Sequence, residues 1–363
     1  MRTEQVAGHG RPPAERAIAR VDRHGALATA TFPSTDAEPT AGVLALLTQA
    51  LPAIARDANV YALVLRCEPG LERATAGRRL DLETDRAMLA DRHRLDWLLE
   101  CFPKPTVALL TDAGAIVGLS LYCTHRVAAQ GYGFSLPQTA IGLCPGGGSA
   151  WTLARLPGSA GVYLGLTGHA IGPADACALG LATHCIGQDR FDEILAALGD
   201  AEPVDPLLDS RHTAPGEGAL APVAAEIEHC FSAATVEAIV ERLERLRTST
   251  RPGVAAWAAA SLASLAAASP LALKVALRHI RAAADLDLRQ TIAIDYRLAW
   301  RLGELRPRGP TAHPVGRSEA FPAEWSPNRL ADVSSAMVER IFAPLGADEL
   351  VLATWQEMRA ARL

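Results

Sequence analysis

Residues 136–151 read LPQTAIGLCPGGGSAW, a stretch dense in glycine and without a carboxylate. Three consecutive glycines, Gly146, Gly147 and Gly148, let a backbone bend sharply and let a ligand come close to it. The polar side chains that accompany them do different chemistry. Gln138 donates and accepts hydrogen bonds but cannot take up a proton. Cys144 reads either as a nucleophile or, more plainly, as a small buried hydrophobe in a tight turn.

Upstream of this loop, strands and helices alternate. GALATATF (25–32) alternates as a half-buried strand does, and residues 36–57 carry a proline and acids first and then apolar residues at helical spacing. VYALVLRC (60–67) and KPTVALLT (104–111) are short continuous apolar runs, the pattern of strands buried on both faces. A polar helix is expected between them (81–102), and HRVAAQGYGFSL (125–136) reads as strand, turn, strand. The alternation predicts an α/β fold. After residue 150 the pattern turns helical. AEPVDPLLDSRHTAPGEGALAPV (201–223), rich in proline, reads as a linker, and helices are expected over 224–248, 253–268 and 270–303.

Composition narrows the function. Hydrophobic residues at 49% and charged residues at 21% are a globular balance. The net charge of −5 argues against a nucleic-acid surface, which would carry a basic excess. The seven cysteines are scattered, with no Cys-x-x-Cys pair and no zinc spacing, so reduced thiols in a reducing compartment are expected. Residues 1–18 read as a flexible tail without the apolar core of a signal peptide. The alanine-rich run at 253–269 suits a soluble helix, and a cytoplasmic location without membrane contact is expected.

Two further glycine-bearing turns follow the buried runs: ATAGRRLD (74–81) and DAGAIVGLS (112–120). Backbone N–H groups at such turns can cradle an anion or polarise a carbonyl, and close packing or a surface turn is the plainer reading of each. Neither is a Walker A loop or a Gly-x-Gly-x-x-Gly fingerprint. His125, His169 and Asp112 are possible bases, each with an ordinary structural alternative.

The order of these parts, strand–ATAG, strand–AGAIVGLS and then FSLPQTAIGLCPGGG, resembles the crotonase (enoyl-CoA hydratase/isomerase) superfamily. Within it the chain most resembles the 3-hydroxyisobutyryl-CoA hydrolase branch. RVAA, LARLPG, LGLTG and GLATHCI lie in the same order, and SPLALKVALRHIRAAADLDLRQTIAIDYRL (269–298) and FAPLGADELVL (342–352) resemble the branch's C-terminal helices.

The resemblance implies a stacked ββα crotonase core over 19–200 and a C-terminal helical region over 224–363. It implies an acyl-CoA thioester with its carbonyl held by the backbone N–H groups of Arg78 and Ala115, a backbone oxyanion hole. It places the adenine of CoA against the backbone near 74–78, at Ala74, Thr75, Ala76 and Gly77, and the CoA phosphates near basic residues, for which Arg73, Arg78, Arg79 and Lys104 are candidates by proximity in sequence alone, with solvated surface charge as the plainer reading of each. It also exposes what is missing. The branch has a glutamate where Gln138 stands and an aspartate where Gly146 stands, and hydratases have a further glutamate at the Gly118 position. Three activities stay open: thioester hydrolysis, a crotonase isomerase, lyase or decarboxylase reaction, or acyl-CoA binding without turnover. The resemblance implies no metal, no permanently bound cofactor (CoA entering as part of the substrate), and a homo-oligomer.

Overall fold

The computed structural model describes residues 19–33, 41–68, 86–112, 117–305 and 325–361. Six strands form one sheet in chain order: β1 (Arg20–His24), β2 (Leu27–Pro33), β3 (Ala62–Glu68), β4 (Thr106–Leu110), β5 (His125–Ala128) and β6 (His184–Cys185). β1 and β2 make an antiparallel hairpin, and every later pairing is parallel. Parallel neighbours need crossovers, and helices α1 (Ala41–Arg56) and α2 (Arg86–Glu100) supply the first two.

The central strands are apolar on both sides because each side has its own core. Leu63, Leu65 and Cys67 of β3, with Ala108 and Leu110 of β4, face the larger core, into which α1, α2 and the C-terminal helices pack. Ala62 and Val64, with Val107 and Leu109, face a smaller core closed by Phe191, Ile194, Leu198, Val204, Leu207 and Leu208. Successive residues of a strand point to opposite faces, so a continuous apolar run is what two covered faces require.

Several sequence expectations need adjustment. The region 125–136 holds one strand, β5, and beyond the turn only a single bridge between Phe134 and Ile171. The helix expected over 224–248 is two, Ala224–Phe231 and Val236–Leu246, the second capped by the Thr235 hydroxyl accepting from the Ala238 N–H. The one expected over 270–303 breaks at residues 283–287 into Pro270–Ala282 and Leu288–Leu305. Stretch 201–223 contains a helix, Val204–Asp209, and packs Val204, Leu207 and Leu208 against the sheet. The structure pairs Cys177 with Cys185, correcting the expectation of reduced thiols for these two; Cys101, Cys123, Cys144 and Cys230 are free and buried, and Cys67 is buried too. The expected tail at 1–18 lies outside the described residues.

Candidate active site

The loop that follows Phe134 begins with a short 3-10 helix, Pro137–Ile141. Its proline occupies a first-turn position, where the missing N–H costs nothing. Gly142 ends it in the left-handed region, and the Leu143 N–H closes on the Gln138 carbonyl at 2.9 Å. Gln138 is half-buried, and its side-chain Oε1 has no hydrogen-bond partner. An unpartnered buried carbonyl costs about 1–3 kcal/mol unless a water or ligand bonds it.

Gly146 has ordinary backbone angles and open space: the nearest atom to a β-carbon placed there is the Cys144 carbonyl oxygen at 3.9 Å. Gly147 and Gly148 differ. Both have positive φ, +63° and +79°, which L-residues with side chains rarely adopt. Both also press against polar side chains. A β-carbon on Gly147 would lie 2.8 Å from Asp96 Oδ2, and one on Gly148 would lie 2.7 Å from the Tyr122 hydroxyl.

Beneath the loop is a buried polar group that sequence reasoning missed. Asp96 of α2 has no solvent exposure and accepts from Arg92 Nε at 3.1 Å, one helical turn back. Tyr122 is buried, and its hydroxyl has no partner. Burial, with the Asp96 and Asp295 carboxylates close by, raises its pKa well above the ordinary phenol value, so it stays protonated. Asp295, from the Leu288–Leu305 helix, accepts from the Gly148 N–H at 2.5 Å and pairs with His279 Nε2 at 2.5 Å. His93, also on α2, bonds the Leu89 carbonyl through Nδ1 at 2.8 Å, and burial lowers its pKa. A sequence signal for these residues existed. Asp96 sits inside an apolar run, LDWLL, and Asp295 shares a helix face with the buried Ile292 and Leu298. A carboxylate on an apolar face must be paired or hydrogen-bonded.

The other expected site residues fall as follows. Gly118 lies in α3 (Val117–Ser120), with Arg92 Nη2 3.3 Å from where its β-carbon would be. Lys104 donates to the carbonyls of Ile54 at 2.8 Å and Asp57 at 2.5 Å, and so closes the C-terminal end of α1. The Cys144 thiol is buried and, with Asp295 nearby, its pKa is raised well above the ordinary thiol value, which removes it as a nucleophile. His125 is tied to Thr124 and Asp205, and His169 is exposed and packs on Tyr163. Asp112 is half-buried at the end of β4. Arg78 and Ala115, the two expected oxyanion donors, lie outside the described residues, as do Arg73, Ala74, Thr75, Ala76, Gly77 and Arg79.

A profile of the enoyl-CoA hydratase/isomerase family matches residues 41–342. The chain belongs to that family. Its curated relatives place it on the 3-hydroxyisobutyryl-CoA hydrolase branch. It is 30% identical to the mitochondrial 3-hydroxyisobutyryl-CoA hydrolase of Xenopus tropicalis over 334 residues, 86% of this chain and 84% of that one. It is 32% identical to the mitochondrial 3-hydroxyisobutyryl-CoA hydrolase of Gallus gallus, over 77% of this chain and 74% of that one. Among solved structures, a carnitinyl-CoA dehydratase from Mycobacterium thermoresistibile superposes with a TM-score of 0.76 at 26% identity, over 92% of this chain and 98% of that one. An enoyl-CoA hydratase from Rhodobacter sphaeroides 2.4.1 gives 0.75 at 26% identity, over 93% and 100%. The crotonase fold expected from the loop order is therefore the fold of this protein.

Proposed function

We propose that the protein is an acyl-CoA thioester hydrolase acting at the loop 136–151. The observation that carries this reading is that the loop is tied into the C-terminal helices, through Gly148 and Asp295, in a chain that matches hydrolases of this branch along most of its length. The Gln138 amide orients the acyl group or a water, and the backbone N–H groups of Arg78 and Ala115 polarise the thioester carbonyl. One such donor is worth about 2.7–4 kcal/mol of transition-state stabilisation. CoA enters with the substrate and leaves as the free thiol.

The test is mass spectrometry of the purified protein with acyl-, enoyl- and 3-hydroxyacyl-CoA esters. Free CoA above the buffer control supports the hydrolase. A mass change with the thioester intact replaces hydrolysis by isomerisation, lyase chemistry or decarboxylation, and binding without turnover replaces it by a ligand-holding role.

A further inference from the structure

We propose that His125, His184 and His212 form a proton-sensitive latch at the edge of the sheet, and that acid opens it at His212. Opening releases from β6 the chain that follows the helix Val204–Asp209. The latch is independent of the activity proposed above.

The first two rings repeat one arrangement on neighbouring strands. A threonine precedes each histidine, Thr124–His125 at the start of β5 and Thr183–His184 at the start of β6. His125 Nδ1 lies 2.9 Å from the Thr124 hydroxyl, and its Nε2 lies 2.9 Å from an Asp205 carboxylate oxygen. His184 does the same with Thr183 at 2.9 Å and Asp209 at 3.1 Å. Asp205 and Asp209 are four residues apart, about 6 Å along a helix. The two rings are 6.0 Å apart between centroids, so both pairs stand side by side.

The threonine hydroxyls let these two rings take a proton without losing a partner. Thr124 Oγ1 also meets the Thr106 N–H at 3.0 Å and the Thr106 carbonyl at 2.8 Å. Thr183 Oγ1 meets the Arg126 N–H at 2.8 Å and the Arg126 carbonyl at 3.1 Å. Beside a neutral ring with its proton on Nε2, the hydroxyl turns its hydrogen to Nδ1. Beside a charged ring, Nδ1–H donates to the hydroxyl oxygen, and the hydroxyl hydrogen goes to the backbone carbonyl. The aspartate accepts from Nε2–H in both states.

His212 has no such freedom. Its Nδ1 accepts from the Cys185 N–H at 3.0 Å, and its ring meets His184 edge-on at 5.9 Å. A backbone N–H only donates, so a proton on Nδ1 removes that hydrogen bond. Both carboxylates of the helix are taken by the other two rings. The nearby cations are engaged elsewhere, Arg126 with the carbonyls of Cys123, Gly180 and Leu181 and Arg211 with Glu193. Burial lowers the His184 pKa against its bond to Asp209, and His125 and His212 add to the lowering. The row therefore resists charge at its centre and loses a bond when charged at its end.

That bond covers a short edge. β6 has two residues, and Cys185 meets the chain after the helix twice, through its N–H to His212 and through its carbonyl, which accepts from the Thr213 N–H at 2.9 Å.

The experiment is hydrogen–deuterium exchange, read by mass spectrometry on the peptides that contain Cys185 and Thr213 and corrected for intrinsic exchange. An imidazole freed to solvent titrates near pH 6.5, so a ring that bonds only when neutral loses up to about 30-fold in protection between about pH 7.5 and about pH 5. His212→Asn offers its Oδ1 to the same N–H and does not titrate, so its protection is expected to be equal at both pH values. His212→Ala should be poorly protected at both. His212 is exposed, so neither variant opens the core. Any acid response of the rest of the molecule is common to wild type and His212→Asn, and their difference isolates the latch. Equal wild-type protection at both pH values overturns the proposal. The same acid loss in His212→Asn as in wild type also overturns it, by placing the proton on another group.

Discussion

Gly148 and Asp295 are 147 positions apart in sequence and 2.5 Å apart in the fold, backbone N–H to carboxylate oxygen. The other carboxylate oxygen of Asp295 pairs with the buried His279. The loop that carries the candidate site is thus pinned from behind by the C-terminal helices. Truncation to Asp295→Ala leaves a buried N–H and a buried imidazole without partners. Breaking a buried pair in this way costs about 3–5 kcal/mol. Urea unfolding monitored by tryptophan fluorescence should show a midpoint well below wild type. Asp295→Asn keeps one acceptor and should fall between the two. A midpoint unchanged in Asp295→Ala would mean that the clamp does not hold the loop.

The three loop glycines should respond differently to substitution. Gly146 has ordinary backbone angles and open space, so Gln138→Glu with Gly146→Asp should fold as wild type and, if the rest of the pocket receives a thioester, should raise CoA release. The gain expected from added acid–base groups is about 10²-fold or more. Gly147→Ala should instead destabilise the protein, because the new methyl meets the Asp96 carboxylate at 2.8 Å and the left-handed backbone is strained with a side chain. Equal tolerance at 146 and 147 would contradict the geometry of the loop.

The sheet was largely legible because its strands obey simple patterning. β3 and β4 are apolar on both faces, and the two cores they separate take every apolar residue of both strands. The second strand expected near residue 134 failed for a local reason. After Ala129 the chain turns, with the Tyr132 N–H closing on the Ala129 carbonyl, and only Phe134 re-enters a pairing. The break after Phe231 was missed because its signal is a single capping hydroxyl, Thr235, which starts the next helix at Val236, and the break at 283–287 is a short 3-10 turn, Ala283–Asp285, between two helices. Of the site, the loop and its missing acids were readable from 136–151 alone. Asp96 and Asp295 were not, since a carboxylate inside an apolar helix announces burial and pairing but not which loop it will meet.

Lys104 was expected near the CoA phosphates and is found closing α1. Hydrogen bonds from a charged group are worth about 1.5–3 kcal/mol. Lys104→Met should therefore lower stability by roughly 1–2 kcal/mol, allowing for partial exposure, and leave acyl-CoA affinity unchanged. Isothermal titration with acyl-CoA beside a urea melt separates the two effects. A loss of affinity at full stability would return Lys104 to the phosphate site.

His93 gives the protein an acid-sensitive core. Its Nδ1–H donates to the Leu89 carbonyl at 2.8 Å while Nε2 has no partner, so the neutral tautomer is the one that fits. Burial lowers its pKa, with Arg92 adding to the effect and Asp295 opposing it. The folded protein therefore resists a proton that the unfolded chain accepts near pH 6.5. Between the two pKa values the unfolded state binds more protons, so stability rises with pH across that window. The contribution is complete above the unfolded pKa and is lost as pH falls through the interval below it. Stability measured by urea unfolding should begin to drop as pH falls through about 6.5, the unfolded value. In His93→Asn, whose amide can replace the Nδ1–H bond without titrating, the slope should be shallower. An identical slope in wild type and variant would place the acid sensitivity elsewhere, with His184, whose pKa burial also lowers, as the next group to replace.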